Sequence, residues 1–139
     1  MVDEIFGLGS CVLQHNRNRQ IVRDAFAAFD GDRYEIGACV VMPNHVHAVI
    51  RPIDQNYPLD KILHSRKLWT SRKINEALNQ KGPLWQEESF DRIIRDPAHL
   101  WKTIQYIGNN PKLAGLDSDK STRWIRPEWQ EAGWDFVDE

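Results

Sequence analysis

Two runs of strand-forming residues, parted by a two-residue turn, constrain this chain more than any other feature. Tyr34 to Met42 and His45 to Arg51 flank Pro43-Asn44, a dipeptide with turn chemistry, and together they predict an antiparallel hairpin. Side chains alternate along a strand, so Tyr34, Ile36, Ala38, Val40 and Met42 are expected to share one face of the first run. In the second run Val46, Ala48 and Ile50 face one way, while His45 and His47 face the other, roughly 7 Å apart. Two imidazoles side by side on a sheet suit a divalent metal. The alternative is a pair of ordinary strand histidines making separate hydrogen bonds, because two ligands do not make a site.

At 139 residues the chain is expected to form a single domain, 1–139, with one proper core. No apolar run approaches the roughly 18 residues of a membrane span, and Met1 to Ser10 is too acidic and too weakly apolar for a signal peptide. Cys11 and Cys39 offer no disulfide framework, which makes a reduced, cytoplasmic setting the expectation. The net charge of −2 hides an asymmetry. Lys61 to Lys73 holds five basic residues (Lys61, Arg66, Lys67, Arg72 and Lys73) and no acid. Asp117 to Glu139 holds seven acids and three bases, so the rest of the chain stands at +2. A basic segment followed by an acidic tail is compatible with DNA binding without demonstrating it.

Taken in order, residues 1–19 carry little pattern, since Gly7 and Gly9 interrupt any regular element. Arg19 to Phe29 has helical spacing, and Leu59 to Leu78 is the longest helical pattern. Arg66 and Lys73 fall within the apolar stripe of that second helix. They suit phosphate contact at the edge of a groove or, equally, long stems that pass the core to reach water. Leu84 to Ile94 reads as extended chain. Asp96-Pro97 is a strong helix start, and Pro111 predicts a stop near Asn110. Leu100, Ile104 and Ile107 form the buried stripe of that helix. Beside it lie His99, Thr103, Tyr106 and Asn110, with Tyr106 and Asn110 one turn apart. Taken alone, the tyrosine is an amphipathic packing residue and the asparagine a helix end.

At this point the chain is recognisable. Val41-Met42-Pro43-Asn44-His45-Val46-His47 and Tyr106-Ile107-Gly108-Asn109-Asn110-Pro111-Lys112-Leu113-Ala114-Gly115-Leu116 resemble the two signature segments of the IS200-like single-tyrosine transposases. The likeness is to the branch associated with repetitive extragenic palindromes (REP). Gly82 to Asp96 also looks like that branch, and the resemblance covers about residues 20–116. It implies an HUH endonuclease (histidine, hydrophobic residue, histidine) on a ferredoxin-like α/β two-layer sandwich, an antiparallel sheet with helices on one face and the active site on the other.

The resemblance also implies roles. His45, His47 and Asn110 would hold a divalent metal, with Mg²⁺ expected and Mn²⁺ possible from the donor types. Tyr106 would be the catalytic nucleophile, cutting single-stranded DNA beside a hairpin through a 5′-phosphotyrosine link. Arg51, Arg66, Lys67, Arg72 and Lys73 are candidate phosphate contacts, and Trp69 a candidate stacking platform. Such an enzyme would work in the cytoplasm on nucleoid DNA.

The chain departs from the family at its front. Members usually begin with a strand before the first helix, and Ile5 to Val12 with its two glycines is a poor substitute, so the first strand is expected to be missing or atypical. A gap of that kind would expose a neighbouring strand edge, which a second copy could fill as a homodimer; a monomer is equally compatible. It also motivates an alternative to the active enzyme, an impaired or domesticated hairpin-DNA-binding protein, although all four site residues are present for an enzyme that cuts and transfers strands. The acidic extension 117–139, with Trp124, Trp129 and Trp134 five residues apart, is expected to strap across the domain.

Overall fold

A computed structural model describes residues 1–137. Its elements run β1 (Val2–Leu8), α1 (Asn16–Ala27), β2 (Tyr34–Val41), β3 (His45–Pro52), α2 (Leu59–Leu78), β4 (Trp85–Ile93), α3 (Pro97–Leu113), β5 (Thr122–Ile125) and α4 (Pro127–Glu131). The strands form one antiparallel sheet in the order β4-β1-β3-β2-β5. Its first four strands and two helices make the βαββαβ unit of a ferredoxin-like sandwich, as expected. No described helix is long and apolar enough to cross a membrane.

The first strand is present, which corrects the expectation drawn from its glycines and acids. β1 lies near the centre of the sheet, pairing Val2 with Ile50 through Gly7 with His45 on one side and Val2 with Ile93 on the other. Backbone ladders on both edges satisfy its amides whatever its side chains are. The apolar alternation is lost because Asp3 and Glu4, on opposite faces, are both buried. With strands on both sides, β3 has no open edge for a second copy to fill.

A register shift between Ile36 and Ala38 corrects the single face expected for β2. Tyr34, Ile36, Cys39 and Val41 join the core beneath α1 and α2, with Phe6, Val22, Phe26, Val46, Ile50 and Ile74. Ala38, Val40 and Met42 turn to the other face, where they meet Val49, Ile104, Ile107 and Ile125. The pivot is Gly37, where a Cβ would come within 1.9 Å of the Trp129 ring.

α2 has the bounds its pattern predicts, and the left-handed Asn79 (φ 53°) ends it. α3 starts as expected, with the Asp96 carboxylate accepting from the His99 amide at 2.8 Å. It then runs through Pro111 to Leu113 instead of stopping at Asn110. In a last turn, proline removes only one helical hydrogen bond, and the pyrrolidine ring of Pro111 is buried.

The acidic C-terminal segment packs on this frame as a strand and a short helix, Asp138 and Glu139 lying outside the described residues. β5 extends the sheet beside β2, pairing Cys39 with Trp124. Buried Arg19 ties it to α1, donating to the Thr122 hydroxyl at 2.9 Å and the Asp119 carbonyl at 2.6 Å. Arg126 donates to the Ile36 carbonyl and pairs with Asp30. Trp134 meets Trp101 edge to face, and Phe136 seats on Gly108, where a Cβ would lie 2.2 Å from the ring.

Candidate active site

The hairpin turn delivers the first two groups. The Met42 amide donates to the His45 carbonyl across the turn, and the Leu8 amide at the end of β1 donates to the Asn44 carbonyl. That ties the turn to two strands and leaves His45 and His47 on one face, their ring centroids 5.1 Å apart at 74°. His47 is buried and His45 half-buried.

The other two groups come from α3, which crosses the same face. Ile104 and Ile107 pack on Val40 and Val49, fixing the rotation of the helix. The Tyr106 ring then stands 6.3 Å from that of His47 at 89°, and Asn110 Nδ2 lies 3.4 Å from His47 Nε2. Residues sixty positions apart in sequence thus meet in one small volume.

Tyr106 is also the accessible tyrosine of the three. It is 51% exposed. Tyr34 is buried, donating its hydroxyl to the Phe26 carbonyl, and Tyr57 is half-buried under the Arg33 guanidinium.

Each imidazole has its Nδ1 directed at an oxygen. His45 Nδ1 is 2.9 Å from Asn44 Oδ1, and His47 Nδ1 is 3.8 Å from the Asp3 carboxylate. With the protons on Nδ1, both Nε2 lone pairs are free to face the site. Burial, and secondarily the neighbouring His47, push the His45 pKa down from its ordinary value, which favours the neutral ligating form.

These donors fit a divalent cation. Two imidazole nitrogens and an amide, whose oxygen faces the site once the group is turned over, leave further positions for phosphate oxygens and water. Among the described residues no group of three or more His, Cys, Asp or Glu could hold a metal ion by itself. An Nδ1 facing a carboxylate is also the usual outer partner of a metal-bound histidine.

The basic residues singled out in the sequence are scattered. Arg66 is buried, donating to the Ala25 carbonyl at 2.7 Å and lying over the Phe29 ring. Its fork therefore serves the α1–α2 contact, which corrects its reading as a phosphate contact. Arg51 is on the histidine face but pairs with Glu35 at 3.3 Å. Lys67, Trp69, Arg72 and Lys73 stand on α2, which packs on the opposite face of the sheet. Lys67 donates to the carbonyl of Gln86, the residue beside Gly7, at 3.3 Å.

Two neighbours of the site escaped the sequence. Asp3 sits one strand over from His47 on the same face. The Gln86 amide oxygen lies 3.2 Å from where a Gly7 Cβ would be, with His45 beside it. Asp3 is the second residue of β1 and is followed at once by Glu4, so the pair reads as a surface segment, and nothing marks Gln86.

Known proteins resemble this chain to different extents. An uncharacterized protein of Haemophilus influenzae (strain Rd) is 29% identical, over 53% of this chain and 52% of that protein, so the chain spans about half the length of this curated relative. Among solved structures, a REP-associated tyrosine transposase bound to a REP hairpin superimposes with a TM-score of 0.64. It is 24% identical, over 84% of this chain and 68% of the other, which is a likeness of fold. Residues 12–110 match the family described as "Transposase IS200 like", a stretch that takes in both histidines, the tyrosine and the asparagine. The chain belongs to the IS200-like transposase family.

Proposed function

We propose that this protein cuts and rejoins single-stranded DNA beside a hairpin, with Tyr106 as nucleophile and His45, His47 and Asn110 as ligands of a divalent cation. The observation that carries the reading is the meeting of β3 and α3: an exposed phenol, two imidazoles and an amide, all on one face. A bound cation would polarise the scissile phosphate and neutralise charge building on its oxygens.

Tyr106 attacks phosphorus in line. The Tyr106 Oη–P bond forms as the P–O3′ bond breaks; the phenol gives its proton to solvent and the departing 3′ oxygen takes one up. One phosphoester replaces another, so the 5′-phosphotyrosine can be resolved by a second 3′-hydroxyl without ATP. Asn44 holds the His45 imidazole, and the packing of Ile104 and Ile107 holds the tyrosine helix in register. Hairpin DNA as substrate is supported by the family and by the ligand of the similarly folded REP-associated transposase. Lys67, Trp69, Arg72, Lys73 and Arg51 remain candidates for steering its backbone and bases.

The test is incubation with single-stranded hairpin oligonucleotides and Mg²⁺ or Mn²⁺. Wild type should form a covalent protein–DNA adduct that Tyr106→Phe does not. A pure binding module would instead hold the hairpin in a salt-dependent manner, unchanged in Tyr106→Phe and without any adduct.

A further inference from the structure

Asp3 presents a physical problem that the proposed chemistry leaves unsolved. It is fully buried, and neither carboxylate oxygen has a hydrogen-bond partner. An unpaired buried carboxylate is costly, and most buried polar atoms find a partner. A second orphan lies beside it: His47 Nδ1 is also buried without a hydrogen bond, 3.8 Å from Asp3 Oδ1. Across the ladders Asp3 stands opposite Val49 on β3 and Arg92 on β4. Arg92 is exposed, whereas the His47 ring is sealed in with the carboxylate.

We propose that Asp3 is a positioning residue that acts through His47, accepting its Nδ1–H and so fixing the ring with the Nε2 lone pair turned toward Asn110 and the site. The inference rests on the reading of His47 as a ligand, and a further contact agrees with it. Neighbouring His45 repeats the device with Asn44 Oδ1. The front strand therefore does more than complete the sheet; it carries the group that sets the tautomer of the buried histidine.

The test uses the full chain and two substitutions. Asp3→Asn keeps the shape with a weaker acceptor. Asp3→Leu removes the acceptor and fills the space with apolar atoms, and the thermal stability of both variants is measured beside their metal binding. Long-range ¹H–¹⁵N spectra of the metal-free protein should find His47 as the Nδ1–H tautomer in wild type and as a mixture in Asp3→Leu. Mn²⁺ titration should give a Kd weaker by about 10–100-fold in Asp3→Leu and by less in Asp3→Asn. A purely structural role would lower stability and leave the Mn²⁺ Kd of the folded protein unchanged, and that result would overturn the proposal. So would an Nε2–H tautomer of His47 in wild type. The ligand reading fails separately, if Mn²⁺ binding is absent in wild type or survives His47→Ala.

Discussion

The two faces of one strand have opposite fates. On β3, Val46, Ala48 and Ile50 are sealed beneath α1 and α2, in a core closed by aromatic rings and by Arg66. The alternate residues, His45 and His47, look the other way, where α3 packs Ile104 and Ile107 but leaves Tyr106 in the open. The first face invests apolar burial in stability. The second gives up some of it to hold polar groups. The contrast teaches where this fold keeps its chemistry: on the face whose cover arrives late in the chain and incompletely.

Substitutions on the two faces should therefore separate stability from activity. The largest effect expected is on the open face. His45→Ala should lower adduct formation on the order of 10³-fold, the loss of several kcal/mol of charge stabilisation, while leaving the melting temperature nearly unchanged. The mirror experiment is Ile50→Ala, which should cost about 2–5 kcal/mol in denaturant unfolding and leave the adduct yield of the folded protein intact. If the two variants behave alike in both assays, the division between the faces is wrong.

A smaller effect comes from Glu4, a buried acid on the closed face. Burial, reinforced by Asp91 and opposed by a Ser89 hydrogen bond and Lys67, pushes the Glu4 carboxyl up to about 7. Below about pH 4.5 the folded and unfolded chains both keep this proton. Above that the unfolded chain releases it first, so stability should fall as pH rises toward about 7 and then level off. Glu4→Gln should flatten this slope, on the order of 2 kcal/mol, in unfolding curves recorded across the window. A slope unchanged by the substitution would assign it to other groups.

The smallest effect expected is that of Lys73→Ala. Lys73 lies on α2 beside Trp69, with Glu76 3.8 Å away, on the layer opposite the histidines. Its removal should weaken hairpin binding only slightly and reduce the salt dependence by about one phosphate contact or less. A loss as large as that of His45→Ala would put the DNA path on the α2 face and undo the comparison.

The same contrast explains how much was legible in the sequence. The hairpin, α2 and the start of α3 could be read because turn residues, periodicity and caps act locally. His45, His47, Tyr106 and Asn110 could be singled out because their signature segments resemble those of a known family, although nothing local brings them together. β1 was not legible. A central strand is held by ladders from distant partners, and its buried Asp3 and Glu4 imitate a surface segment. Nor was the turnover at Gly37, because the side chain that occupies the space, Trp129, comes ninety residues later. Arg66 misled for a related reason: a guanidinium in an apolar stripe marks a buried carbonyl acceptor as readily as it marks a phosphate.

The central claim is that Tyr106, on the open face, is the group that bonds to DNA. Its most direct test is peptide mapping by mass spectrometry of the adduct trapped with a hairpin oligonucleotide and Mn²⁺. A 5′-phosphoryl nucleotide is expected on the peptide that contains Tyr106 and on neither of those that contain Tyr34 and Tyr57. An adduct on another residue, or cleaved DNA with no protein attached, would contradict it.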